Sequence, residues 1–435
     1  MNLNKLKTFY TKSPKFIKTL FSLIPYNYRN GKHYRHWLNI LTENADVKKD
    51  PLTTVKFAFD KFSFYKTKYN NILPTNWESV PFLEKWETQE NLAEFKDSNI
   101  SKFYVTTGGV SGAPATFYQS KNVWFKELAF VNSFFNKYGY STKDLKLSLR
   151  GGDFNNLPHD VFWKSNPISN EIHFSPFHLT TNTVELYVNQ INKLKPDFFH
   201  SYPSGLLRLA QLMHEKDLKL SYFPKCIFLI SEAFSKQEFA FLKSFFNCKV
   251  TTFYGHSERL IFAEFEEESY SYIPNEKYGY FELIDANGTV IAENNVVGEI
   301  IGTSYDNNAM PLVRYKTGDF TSYTDFKRKA FGEIQGKWGQ DFLIGLHDEH
   351  VTITALNLHS TELSDLIQIQ FHQKEPGEVI ILARFRSNKS IVEIKSIENM
   401  LKNRVGNIIN FKIDLDVDLN LNARGKCPLI IRNEK

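Results

Sequence analysis

Between residues 103 and 255 short apolar runs alternate with longer amphipathic ones, and this alternation restricts the chain to an α/β architecture. FYVTT leads into a glycine-rich turn, and a helical stretch follows from Val123 to Tyr138. LKLSLRGG reads as the next strand and SGLLRLAQLMHEK as the next helix. CIFLIS (226–231) reads as a buried strand, KQEFAFLKSFF as a helix and KVTTFYG (249–255) as a strand. Beyond Tyr270 the pattern turns to antiparallel β: YGYFELIDANGTVI places an Asn-Gly turn between alternating strands, and VGEIIGTS and PLVRYKTGDF follow. From about Gly339 a smaller α+β segment is expected, with HVTITAL a strand, STELSDLIQIQF a helix, EVIILARF a strand, SIVEIKSIENMLKNRV a helix and NFKIDL a strand. QGKWGQDFLIG (335–345), polar and glycine-spaced, reads as the hinge.

A length of 435 residues with 42% hydrophobic content supports a large core and two or more domains. The division expected is a large domain over 1–338, its first 50 residues helical and partly basic, and a small one over 339–435. A net charge of +5 over this length is too mild for a nucleic-acid partner, which would need basic residues gathered in one patch. The one basic concentration is N-terminal, in MNLNKLKTFYTKSPKFIKTLFSLIPYNYR, where lysines are scattered among Phe, Leu and Ile. It lacks the unbroken apolar core and cleavage site of a signal peptide. Two readings stay open for it: an amphipathic helix in peripheral contact with a membrane, or a basic helix packed on the body of the protein. Cys226, Cys248 and Cys427 have no paired spacing, which suits a reducing compartment. No run of 18 or more apolar residues exists. The expected location is cytoplasmic, with association at the inner membrane face as the variant that the basic segment allows.

Four short motifs carry candidate chemistry. TTGGVSGAP supplies backbone N–H groups with little side-chain bulk, which close approach to phosphate oxygens requires. Its spacing is not that of a Walker loop, and a plain strand-to-helix turn remains an equal alternative. YGHSE (254–258) leaves a strand and sets an aromatic, a hydroxyl and a carboxylate at a sheet edge where ligands bind in α/β folds. The carboxylate of Glu258 suits Mg²⁺ beside phosphates, or it caps a helix while Tyr254 fills the core. RYKTGDF (314–320) ends in an aspartate able to accept from two vicinal hydroxyls, or in an ordinary Asx-type turn. NARGKCPLII presents Arg424 and Lys426 around a glycine. His159, His173 and His178 lie close in sequence without the spacing of a metal site.

Taken in order, these motifs and GKWGQDF resemble those of the adenylate-forming (acyl/aryl-CoA synthetase) superfamily. FIKTLFSLIPYNYRNGKHY, ISEAFS (230–235) and GKWGQDFLIG leading into ITALNLH narrow the resemblance to the phenylacetate-CoA ligase branch and its CapK-like capsular-polysaccharide proteins. The resemblance implies a large ATP- and carboxylate-binding domain with a small mobile C-terminal lid. It assigns Thr106, Thr107, Gly109, Ser111 and Gly112 to the ATP phosphates, and Tyr254 and Gly255 to the adenine and acyl pocket. Glu258 falls to Mg²⁺, Asp319 to the ribose hydroxyls, Lys426 to the catalytic lysine and Lys337 to the hinge. His256, beside the acyl pocket, orients the acceptor or acts as a base, or is structural and hydrogen-bonded.

The activity so implied is ATP-dependent activation of a small-molecule carboxylate through an acyl-AMP, with transfer to a thiol such as CoA or to an amine, in surface-polysaccharide assembly. Departures from the pattern stand beside it. Ala113 replaces the common loop lysine, Gly108 and Val110 replace hydroxyl residues, and Lys337 stands where arginine is usual. They leave two alternatives: a nucleotide-binding or scaffold homologue with weak chemistry, and an acyltransferase that uses a preformed CoA ester without ATP.

Overall fold

The architecture is that of a computed structural model, described over residues 13–47, 49–95, 100, 102–106, 115–151, 154, 157–334, 342–356, 358, 361–363, 366–385, 387–415 and 429–432. The chain divides into two compact units. One comprises Met1–Val105, Ala115–Thr142 and Thr252–Gly336; the other comprises Thr106–Pro114, Lys143–Thr251 and Lys337–Lys435. The α/β class expected from the alternation is the one observed, with a smaller α+β part toward the C-terminus.

In the first unit, antiparallel neighbours run in the order Gly279–Ile284, Val297–Ser304, Tyr315–Asp325, Ala330–Phe331, Ser271–Pro274, Phe262–Glu266 and, from Thr252 onward, the strand Lys249–Gly255. Helices from the N-terminal third cover it. Asp50 caps the helix Pro51–Lys61 by accepting from Leu52 N, and Pro51 fits the first turn because its missing N–H would go unused there. Phe62, Tyr65, Phe95 and Phe117 join Leu283, Ile300 and Tyr315 in a fully buried core. The helix Gly31–Thr42 buries Tyr34 and Trp37, and Asn132 of the helix Lys121–Asn136 donates to Tyr34 Oη at 2.9 Å.

Two details of the antiparallel region differ from expectation. After Gly279–Ile284, Asp285 Oδ1 accepts from Asn287 N and Thr289 N and closes the turn, but the return arm makes only one isolated bridge, Ile284 to Val290. Its place is taken by Val297–Ser304, which pairs with the first arm from Ile284↔Glu299 to Gly279↔Ser304. The strand expected to begin at Pro311 begins at Tyr315 and runs to Asp325, since Arg314 lies at φ 46° and breaks the extended run before it.

In the second unit, Lys146–Leu149 is flanked in parallel by Glu171–Phe174 and Phe198–Ser201, and the latter by Cys226–Leu229; Trp163–Asn166 pairs antiparallel at the edge. The helix Lys236–Phe246 opens on a capping box of Ser235 and Glu238 and stops at Asn247, which takes a left-handed φ of 46°. A separate sheet runs Asn410–Asp414, Glu378–Phe385, Leu366–Glu375, Ile430–Arg432, with the helix Ile391–Arg404 beside it in sequence.

Two expectations fail in this unit. STELSDLIQIQF is not a helix: a single turn over Thr361–Leu363 gives way to the strand Leu366–Glu375. That strand is internal, bonded on both sides, and buries Gln370 along with Ile369 and Phe371, so a polar residue of that run is inside. HVTITAL is split into the strand His350–Thr352 and the short helix Ile353–Leu356.

Candidate active site

A β-bulge positions the best-defined acid. Across the pair Val297–Ser304 and Tyr315–Asp325, Ile301 faces Lys316 but Glu299 faces Phe320, so three residues on one strand oppose one on the other. The three are Thr317, Gly318 and Asp319, and the bend is held at each. Thr317 Oγ1 donates to Ile300 O at 2.8 Å and accepts from Asp319 N at 3.1 Å, while Gly318 N donates to Glu299 Oε1 at 2.9 Å. Gly318 has φ 71°, a conformation in which a side chain would be strained. Because the surplus is an even number, Asp319 keeps the inward parity of Tyr315, Thr321 and Tyr323 and is buried with them.

Tyr254, on the strand Lys249–Gly255, meets that aspartate: its Oη donates to Asp319 Oδ2 at 2.9 Å. Burial first, and then the neighbouring Asp319 carboxylate, hold the phenol well above the usual tyrosine range, so it stays a donor. The ring is set edge-on against the fully buried Phe331, 5.6 Å between centroids. Two of the four sequence motifs are thereby brought together in one unit, with the aspartate oriented by the tyrosine.

The rest of YGHSE follows as a turn. Gly255 is exposed, and a Cβ there would meet only ordinary contacts, so the space around it does not demand glycine. His256 packs its ring edge-on to Tyr254, and neither of its buried ring nitrogens has a hydrogen-bond partner among the described residues. Glu258 places Oε2 3.8 Å from His256 Nδ1. No group of three or more His, Cys, Asp or Glu that could hold a metal ion exists among the described residues. Mg²⁺ is commonly held by one or two carboxylates together with a substrate's phosphates, and Glu258, its side chain 14% exposed, is a carboxylate of the kind that such a set would use.

Two features that sequence reasoning missed hold this turn in place. Gln119 is completely buried on Thr116–Ser120; its Nε2 donates to Ser257 O at 2.5 Å, and its Oε1 has no hydrogen-bond partner among the described residues. A glutamine directly after the aromatic pair of TFYQS was the available signal. Just beyond the motif, buried Leu260 lies against Gly279 and Gly302: a Cβ on Gly279 would stand 1.8 Å from Leu260 O, and one on Gly302 2.7 Å from Leu260 Cβ. Only glycine leaves room for that backbone.

Several assigned residues cannot join this geometry. Thr106 ends the strand Lys102–Thr106, whereas Thr107, Gly109, Ser111, Gly112, Lys337 and Lys426 lie outside the described residues. The second unit adds candidates of its own at the carboxyl ends of its parallel strands, where α/β proteins bind ligands. Glu232, just after Cys226–Leu229, accepts from Ser204 N at 3.0 Å at the start of the helix Pro203–Glu215, and burial raises its pKa. Tyr202 follows Phe198–Ser201, and burial pushes its phenol up to about 12. The three grouped histidines take separate partners: His159 meets Asp160, His173 Nε2 bonds Arg150 O at 2.9 Å, and His178 Nδ1 bonds Ser175 Oγ at 2.8 Å.

No family model matches the chain. Over 379 residues, 84% of this chain and 82% of its counterpart, it is 24% identical to protein CapK of Staphylococcus aureus. Among solved structures it aligns with 2-hydroxyisobutyryl-CoA ligase in complex with 2-HIB-AMP and CoA in the thioesterification state, at TM-score 0.52 and 15% identity over 94% of this chain and 91% of that one. The same ligase in the postadenylation state with 2-HIB-AMP aligns at TM-score 0.51 and 16% identity over 88% of each chain. The chain is CapK-like and has the adenylate-forming fold.

Proposed function

We propose that the protein is an ATP-dependent carboxylate-activating ligase. The observation that carries this reading is the hydrogen bond from Tyr254 Oη to Asp319, which fixes a buried acceptor beside an aromatic at the end of a strand. Asp319 takes the two ribose hydroxyls, and Tyr254 and Gly255 border the adenine and acyl pocket. Thr106, Thr107, Gly109, Ser111 and Gly112 hold the phosphates. A carboxylate oxygen of the substrate attacks the α-phosphorus, the bond to pyrophosphate breaks, and acyl-AMP forms. A thiol, with CoA the leading candidate, or an amine then attacks the acyl carbon, and AMP leaves with the bonding pair. Mg²⁺ on Glu258 would offset the repulsion between triphosphate and carboxylate. Lys426, carried by a mobile lid over 339–435 that turns about Lys337, supplies the other positive charge as negative charge builds on the α-phosphate. His256, with both ring nitrogens free of hydrogen bonds among the described residues, orients or deprotonates the acceptor.

The relationship to CapK supports a place in capsular or surface-polysaccharide assembly, and the phenylacetate-CoA ligase branch is the subgroup we infer. The test is carboxylate-dependent exchange of pyrophosphate into ATP across a panel of small organic and sugar acids. Exchange is expected, with a loss of about 10²–10³-fold in Lys426→Ala. ATP binding without exchange for any acid would leave a nucleotide-binding homologue, the reading that Ala113 in the phosphate loop favours. Product formed from an acyl-CoA in nucleotide-free buffer would redirect the reading to an ATP-independent acyltransferase.

A further inference from the structure

We propose that the N-terminal segment seats this protein on an anionic lipid surface. The segment before Glu43 contains eight lysines and arginines and no aspartate or glutamate; since the whole chain is at +5, everything after it is net −3. The positive charge of the molecule is therefore concentrated at one end.

The second observation is geometric. Ile17, Leu20, Phe21 and Ile24 follow the i, i+3, i+4, i+7 spacing by which a helix normally buries one face. On the helix Lys15–Ser22 and the turn after it that face is open instead: Leu20 is 61% exposed, Phe21 44% and Ile24 43%, with Leu23 at 74% and Tyr28 at 70% alongside. The segment is tied to the body of its unit through Arg29, whose guanidinium lies 6.0 Å from the Phe21 ring centroid and 5.2 Å from that of Tyr26, and Tyr26 meets Tyr34 edge-on. Tyr34 and Trp37 are buried in the same unit, and Asn132 bonds Tyr34 Oη. A stripe built for burial is thus held outward next to a chain segment without a single acid.

Charge decides the occupant. An apolar face on a segment whose only charged residues are basic complements the headgroup region of an anionic bilayer, where the apolar side chains enter the acyl boundary and each nearby basic residue adds attraction. A second copy would bring the same eight positive charges against one another. The contact is peripheral, since no helix among the described residues is long and apolar enough to cross a membrane.

Sedimentation of the full chain with vesicles tests this without reference to catalysis. Binding is expected to phosphatidylcholine vesicles containing about 30% phosphatidylglycerol and to fall about tenfold or more on pure phosphatidylcholine or in about 0.5 M salt. Leu20→Asp with Leu23→Asp should remove binding while the thermal midpoint stays at the wild-type value, because both side chains are exposed. Lys15→Gln with Lys18→Gln, which keeps the apolar face, should weaken it about tenfold. Failure to bind anionic vesicles, equal binding to neutral ones, or a wild-type dimer in ultracentrifugation that Leu20→Asp with Leu23→Asp converts to monomer would each overturn the proposal.

Discussion

In the first unit Lys126 and Arg314 lie in the interior with their charges paired, whereas in the second unit His173 and His200 lie in the interior with their charges suppressed. Lys126, 4% exposed, bonds Asp306 and donates to Tyr278 O at 2.6 Å, with its ammonium over Trp37 and Tyr278. Arg314 Nε donates to Glu282 Oε1 at 2.8 Å, and its Nη1 to Val80 O. Burial lowers Lys126 to about 8 against the opposing pull of Asp306. In the second unit, burial lowers both His173 and His200 to about 4, with Arg150 adding to the effect. Their neighbour Glu171 would be raised by burial, but His200, Arg150 and Lys146 outweigh it and hold its carboxyl well below the usual range. Burying a charge requires a partner, and burying a titratable ring requires only that the proton be given up. The first arrangement is vulnerable to loss of the partner and the second to acid.

The largest expected effect breaks the first arrangement. Asp306→Asn leaves Lys126 buried without its counter-charge and should cost about 3–5 kcal/mol in urea unfolding. Adding Lys126→Met should recover much of that, because replacing both ends of a buried pair is often neutral. A cost below about 1 kcal/mol would mean that the pair behaves as a surface one.

Acid should break the second arrangement. For each histidine the folded pKa of about 4 lies below the ordinary 6.5, so between those values the unfolded chain binds more protons and stability falls as pH falls. From pH 6.5 to 5 the loss should be about 1.5 kcal/mol per histidine. Hydrogen exchange should show protection declining first along Lys146–Leu149 and Phe198–Ser201; equal decline in the antiparallel sheet would erase the contrast.

Two smaller changes sharpen it within the candidate site. Tyr254→Phe removes a donor to a buried carboxylate and should lower stability by about 1.5 kcal/mol, read as a thermal shift that does not depend on pH between 5 and 7. Gly318→Ala, at a positive φ, should cost about 1 kcal/mol and leave the pairing of Val297–Ser304 intact by hydrogen exchange.

What the sequence disclosed follows from what is local. CIFLIS, KQEFAFLKSFF and KVTTFYG lie where their apolar patterns put them, because strand and helix periodicity and caps such as Ser235 are set by near neighbours. STELSDLIQIQF misled because Gln370 is buried within an internal strand, and burial on both faces erases the alternation that marks an edge. YGHSE and YKTGD could each be read as motifs, yet their junction depends on a bulge in the pairing of Val297–Ser304 with Tyr315–Asp325. No local rule announces a bulge. The contribution of Gln119 was equally hidden, since its contact with Ser257 spans 138 residues.

The parity of that bulge bears on how the motif can vary through descent. Substitutions around Thr317–Asp319 change contacts one at a time, but a single-residue insertion or deletion would turn Asp319 to the opposite face of its strand and away from Tyr254. Related chains that keep the Tyr254–Asp319 pair should therefore keep the number of residues between Lys316 and Phe320, because a change in number moves Asp319 whereas a substitution at Thr317 alters only its own contacts.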